Sequence, residues 1–191
     1  MSKHVIYIPG LGDHRPHGQK LITKLWRIYG LRVHYLPLGW ADGESFAPKL
    51  ARLLTEIDRL EKQGSIVSLV GVSAGGSAVM NALAVRPNLN SVVTICGKNF
   101  GHEGVNPRYY QENPAFEDSL KLADKSLPKI QLPERQGVLS LFCRWDRTVY
   151  NKYSYIEGAT NRHIAGLGHI SAIFLTITFG SWRVARFIKK H

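Results

Sequence analysis

Residues 65–85 read SIVSLVGVSAGGSAVMNALAV, and the order of residue types in this stretch decides the fold. Ile66–Val70 is apolar on both faces apart from Ser68, as suits an interior parallel strand covered on each side. From Gly75 onward the residues are small or apolar and carry no charge, which suits a helix packed into the body of the protein. Between these elements stand Gly71, Ser73, Gly75 and Gly76. A single hydroxyl is thus placed between glycines where a strand must turn sharply into a helix.

The segment 71–75, GVSAG, fits the pattern G-x-S-x-G. Residues two before and two after the serine must be small because the turn brings strand and helix backbones together. The serine then stands clear at the top of the sheet, near the positive end of the new helix. Ser73 is therefore a candidate nucleophile, and a serine nucleophile needs a base, an orienting acid and an oxyanion site. Asp146, in LSLFCRWDRTV (139–149), follows a strand-like run and is the candidate acid. His169, in HIAGLGHISA (163–172), opens the last helical stretch and is the candidate base. For the oxyanion, the Ala74 amide is expected to act with that of Leu11, in the loop YIPGLGDHR (7–15), where Gly10 and Gly12 permit close approach. The same loop lacks the spacing and the terminal Lys-Ser/Thr of a phosphate-binding loop.

Outward from this stretch, short apolar runs at 4–8, 31–36, 66–70, 91–95, 138–142 and 159–164 alternate with longer helical patterns at 17–29, 45–63, 74–86 and 169–189, with short helices after Pro107. This alternation predicts a parallel sheet with right-handed crossovers. Leu50, Leu53, Leu54, Ile57 and Leu60 recur at helical spacing, with Ser45 as N-cap and Gly64 as stop. The one long interruption, 97–136, is expected to form a cap over the carboxyl edge of the sheet within a single domain spanning 1–191.

Taken together, YIPGLG, GVSAGG, WDRTV and GLGHI resemble the α/β-hydrolase family along nearly the full chain. The resemblance implies a small, minimal member: a mostly parallel six-stranded sheet in the order 2-1-3-4-5-6, helices on both faces, and no pair of antiparallel strands at the N-terminus. It also implies the chain order Ser73, Asp146, His169 for a catalytic triad, with Leu11 and Ala74 forming the oxyanion hole. The activity implied is that of a serine esterase, cleaving a carboxylic ester or thioester through an acyl-enzyme without a metal or other cofactor. Acyl transfer on the same triad and a non-catalytic ligand-binding role are the alternatives.

For the substrate, Gly10, Trp40, Phe100 and Tyr109 are the candidate contacts. Asp13, His14 and His17 lie close in sequence but lack a third patterned ligand position for a metal. Lys and Arg total 25 against 14 acidic residues, a formal net charge of +11, and the excess is concentrated after Arg135. Such a charge favours anionic partners without specifying one. No nucleic-acid motif accompanies it. Trp182 with Arg183, Arg186, Lys189 and Lys190 suggests weak contact with an anionic membrane. Cys96 and Cys143 are expected to be free and buried. The N-terminus enters a strand pattern almost at once, so a cytoplasmic location is expected.

Overall fold

In the computed structural model, which describes residues 2–15 and 17–191, six strands form one sheet. They are β1 (Lys3–Ile8), β2 (Leu31–Tyr35), β3 (Ile66–Val72), β4 (Ser91–Ile95), β5 (Val138–Cys143) and β6 (Thr160–Ile164). The spatial order is β2-β1-β3-β4-β5-β6 and every neighbouring pair is parallel. This is the order implied by the sequence. The chain reverses its direction of strand addition between β1 and β3, and the ends of those two strands meet at Ile8 and Gly71. Open α/β sheets bind ligands at such a point.

Side-chain alternation along the strands divides the interior into two cores. Ile6, Ile8, Val67 and Leu69 face one side, where α2 (Phe46–Lys62), α3 (Gly75–Val85) and α5 (Pro114–Ser126) bury Leu53, Ile57, Ala78, Val79, Phe116 and Leu120. Val5, Tyr7, Val70, Val72 and Val93 face the other side. There α8 (His169–Ile177) and α9 (Ser181–Lys190) contribute Ile173, Ile177, Val184 and Ile188, and the 3-10 turn Leu25–Tyr29 contributes Trp26. That turn continues α1 (His17–Lys24). Both faces of the central strands are covered, which is why their runs are largely apolar, with Ser68, Thr94 and Ser140 buried and hydrogen-bonded among them.

Three local expectations give way to the structure. The helix expected over 169–189 is two helices, α8 and α9. The Thr178 hydroxyl donates to Phe174 O (2.6 Å), and the chain turns through Gly180, whose N–H reaches back to Leu175 O (2.8 Å). Segment 97–136 is divided rather than being a cap throughout. The amphipathic α5 joins the helical layer against α2 and α3, with α6 (Leu132–Gln136) leading into β5, so the part up to α4 (Pro107–Glu112) lies over the carboxyl edge together with Phe116 at the start of α5. Ser45 sits at the N-cap of α2 but makes no side-chain cap. The Phe46 N–H is instead directed at Asp118 of α5 (3.4 Å).

Lys49 in α2 is fully buried, although its place in a charged amphipathic pattern suggests a solvated side chain. Its ammonium donates to Leu38 O (2.9 Å), Gly39 O (2.8 Å) and Asp42 Oδ1 (2.6 Å), fixing the loop that follows β2. The same loop is held from the other side by Asp13, whose buried carboxylate accepts from the Leu38 and Gly39 amides (2.8 and 2.7 Å). At the far end of the fold, Lys3 donates to Ile188 O and Lys189 O in the last turn of α9. Among the described residues no helix is long and apolar enough to cross a membrane. Replacing Lys49 by methionine leaves two carbonyls without their donor and is expected to destabilise the fold by about 1–3 kcal/mol. Chemical denaturation of wild type and Lys49→Met measures this directly; equal stability would show that the three hydrogen bonds contribute nothing net.

Candidate active site

The site lies where β1, β3 and β4 end. Ser73 is in the left-handed region (φ 54°), a conformation that costs a non-glycine residue about 1–2 kcal/mol. Contacts on three sides hold it there. Its N–H donates to Ile95 O (3.1 Å) at the end of β4, and its carbonyl accepts from the Gly76 and Lys98 amides (3.0 Å each). The glycines expected to clear the turn do so by contact: a Cβ on Gly71 would strike Gly75 O, and one on Gly75 would strike Ile8 O. Gly76 does the same for the loop after β4, where a Cβ would meet Asn99 Oδ1 and Gly97. On Gly10 a Cβ would come within 2.7 Å of Ser73 Cβ, so the loop after β1 is packed directly on the serine.

His169 Nε2 lies 2.9 Å from Ser73 Oγ, and His169 Nδ1 lies 2.6 Å from Asp146 Oδ2. Asp146 is buried in the loop after β5, and its other oxygen accepts from the Thr148 and Val149 amides (2.9 Å each). A carboxylate only accepts, so His169 Nδ1 carries the proton and Nε2 presents its lone pair to the Ser73 hydroxyl. Burial pushes the Asp146 carboxyl up, but the hydrogen bonds from His169, Val149 and Thr148 outweigh it and leave it below the ordinary carboxylate value. The stability gained from this group is therefore present at neutral pH and is lost as acid carries the pH through the lowered value. All three residues singled out in the sequence are thus brought into one hydrogen-bonded chain.

Leu11 and Ala74 both line the cavity over Ser73. Among the described residues no protein group accepts from either backbone N–H, which leaves two donors beside the serine hydroxyl. Gly10 lines the apolar side of the site and Tyr109 lines both sides. Trp40 is placed elsewhere. It is fully buried against Phe46 and Phe116, and its indole N–H donates to Pro9 O (3.2 Å), so it braces the loop bearing Leu11 and lies outside both cavity linings. Phe100 also lies outside both linings and packs edge-on to Tyr153. His14 is exposed, the side chain of His17 lies outside the described residues, and Asp13 is committed to the backbone of residues 38 and 39.

Two cavities meet at Ser73. One, of about 300 Å³, includes Ala74, Lys98, Tyr109, Phe116, Arg147 and Tyr153 in its lining. The other, of about 550 Å³, is lined mainly by Ile22, Ile170, Ile173, Phe174 and Ile177. Arg147 and Thr148, which directly follow the acid, and the α8 isoleucines were visible in the sequence only as neighbours of site residues. Lys98 carried no signal there beyond following a strand at its carboxyl end.

Ligand atoms of Cys96, Asp146 and His169 lie within 4.8 Å of one another. The Asp146 and His169 atoms are already paired with each other, and burial, reinforced by the Asp146 charge, pushes the Cys96 thiol up and keeps it protonated. Both cysteines are free and buried. An aromatic disulfide reagent at mildly alkaline pH is accordingly expected to leave Cys96 and Cys143 unmodified in the folded protein and to titrate both after denaturation. Rapid modification of either thiol in the native protein would contradict the burial described here.

No family model matches the chain, and no curated protein sequence matches it. Solved structures do. Est1E from Butyrivibrio proteoclasticus superposes with a TM-score of 0.74 at 15% identity, over 98% of this chain and 87% of that one. A structure from the metagenome-derived lipolytic enzymes LipS and LipT gives 0.69 at 13% identity, over 100% and 95%. MGS-MChE2, an alpha/beta hydrolase enzyme from the metagenome of lagoon sediments at Mar Chica, Morocco, gives 0.65 at 16% identity, over 100% and 92%. At these identities the likeness is one of fold.

Proposed function

We propose that this chain, which has the α/β-hydrolase fold, is a serine hydrolase cleaving a carboxylic ester or thioester through an acyl-enzyme. The observation that carries the reading is the continuous chain Ser73 Oγ, His169 Nε2, His169 Nδ1, Asp146 Oδ2, at 2.9 and 2.6 Å. His169 takes the Ser73 proton as Oγ attacks the carbonyl carbon. Asp146 holds the ring and stabilises the imidazolium, and the Leu11 and Ala74 amides receive the charge that develops on the carbonyl oxygen. Each such donor contributes roughly 3 kcal/mol to the barrier reduction because it is already oriented before charge appears. His169 then protonates the leaving alcohol or thiol. In the second half it removes a proton from water, whose oxygen attacks the acyl carbon and frees Ser73. What supports an ester over an amide is the neighbourhood in fold space, where Est1E and the lipolytic LipS and LipT stand.

A fluorophosphonate probe is expected to label wild type at Ser73, to leave Ser73→Ala unlabelled, and to react slowly with His169→Ala. Hydrolysis of 4-nitrophenyl esters should fall by about 10³–10⁴-fold or more in Ser73→Ala, His169→Ala and Asp146→Asn. Undiminished labelling of His169→Ala would sink the proposed activation. Absence of both labelling and turnover in wild type would remove the hydrolase reading.

A further inference from the structure

The smaller cavity contains a charged group that the proposed acyl chemistry does not use. Lys98 follows β4, its backbone N–H donates to Ser73 O (3.0 Å), and its side chain is only 4% exposed. The ammonium lies 3.0 Å above the centroid of the Tyr153 ring. Tyr153 is itself clamped. Gly101 and Gly104 bend around it with φ near 78°, a Cβ on either would strike its ring or hydroxyl, and its carbonyl accepts from the Asn99 amide (3.1 Å).

Asp124 of α5 acts on Lys98 electrostatically but is committed elsewhere, accepting from the Gly101 and His102 amides and from the His102 ring. Among the described residues no carboxylate or carbonyl accepts from the Lys98 ammonium, and no Asp or Glu lines the cavity. Arg147, exposed on the opposite loop, lines the same space. Burying an ammonium with only a ring face for company is unfavourable, and a methionine would fill the volume without that cost. Burial draws Lys98 down to about 8, with Asp124 opposing the fall and Lys152 on α7 (Asn151–Ser154) adding to it. At neutral pH the group is mostly cationic, buried and, among the described residues, without an acceptor, in a cavity that Ser73 also lines.

We propose that Lys98, with Arg147, forms an anion subsite, so that the substrate is an ester or thioester carrying a carboxylate or phosphate on one side of the scissile carbonyl and an apolar group on the other. This rests on the serine-hydrolase reading of Ser73. The apolar group occupies the larger cavity of Ile22, Ile170, Ile173, Phe174 and Ile177.

Paired substrates test the subsite. 4-Nitrophenyl hydrogen glutarate against 4-nitrophenyl pentanoate places the anion on the acyl group, and 4-carboxyphenyl pentanoate against phenyl pentanoate places it on the leaving group. In one pair the anionic member is expected to have a kcat/KM about tenfold or more above the neutral one, the scale of a hydrogen bond to a charged group. Lys98→Met should bring that ratio close to one, and Lys98→Arg should retain most of it. In wild type the ratio should fall as the pH rises through about 8, because deprotonated Lys98 no longer attracts an anion. The other groups around it are Asp124 and His102 on the α5 side, Lys152 and Tyr153 on α7, and Arg147, Tyr109 and Tyr150 in the cavity lining. The ratio cancels any pH effect common to both members of a pair. This pH profile also serves if Lys98→Met fails to fold.

Turnover of neutral esters with no preference for either anionic partner would overturn the subsite and leave the hydrolase standing. If no ester is turned over, the Ser73 reading falls, and calorimetric titration of Ser73→Ala with monomethyl glutarate and with inorganic phosphate judges the subsite alone. Saturable binding weakened about tenfold by adding Lys98→Met supports it and tells carboxylate from phosphate; no binding of either overturns it.

Discussion

The site depends on one backbone constraint, the left-handed turn at Ser73. A β3 that simply ran into α3 would place the serine in the wall of the sheet, with no reach to another loop. With φ at 54° the side chain is lifted clear, and its carbonyl turns to accept from Gly76 and from Lys98. The strain is offset by those bonds and by the Ser73 N–H to Ile95 O. Because Gly75 touches Ile8 and Gly76 touches Gly97, the turn also sets where the loops after β1 and β4 leave the sheet. Ser73, the loop bearing the Leu11 amide and the loop bearing Lys98 are therefore positioned by one set of close contacts.

That arrangement requires bracing behind the loops, and the bracing is polar. Trp40 reaches Pro9 O, Asp13 gathers the Leu38 and Gly39 amides, and Lys49 closes the same loop from α2. Each buried polar group finds a backbone partner in a segment that has no regular secondary structure to satisfy its own N–H and C=O groups. The loop after β2 thereby becomes as fixed as a strand and supports the amide that would receive the developing charge.

Most of the frame was legible because it rests on local rules. Interior strands are largely apolar on both faces, the elbow needs its small residues at fixed offsets, and Asp146 and His169 each follow a strand at its carboxyl end. What escaped depends on distant partners. Lys49 looks solvated because its helix pattern does not reveal that a loop with free carbonyls folds over it. Trp40 looks exposed because it follows a strand at the catalytic edge, whereas Phe46 and Phe116, 6 and 76 positions further on, enclose it. The break between α8 and α9 falls at 178–180, where the Gly180 N–H turns back to Leu175 O, and the apolar spacing of 169–189 does not announce it. Segment 97–136 is split because α5 carries its own apolar stripe, which packs into the helical layer while Phe116 at its start reaches the cavity at Ser73.

The sequence concentrates its excess of cations after Arg135 without tying it to a site, whereas the structure encloses one cation, Lys98, in a cavity at Ser73. The excess of cations over the whole chain raises the encounter rate with any anion but discriminates poorly, because exposed charges are screened over about 8–10 Å at physiological salt. Lys98 differs in being enclosed, where water and salt screen it less. The two cavities at Ser73 then impose an orientation. An apolar chain placed against Lys98 would desolvate the ammonium without replacing its lost hydrogen bonds, and an anion placed among Ile22, Ile173 and Phe174 would lose its own hydration with nothing in return. The carbonyl must lie between them at the serine hydroxyl, so polarity alone selects which end of a mixed substrate enters which cavity.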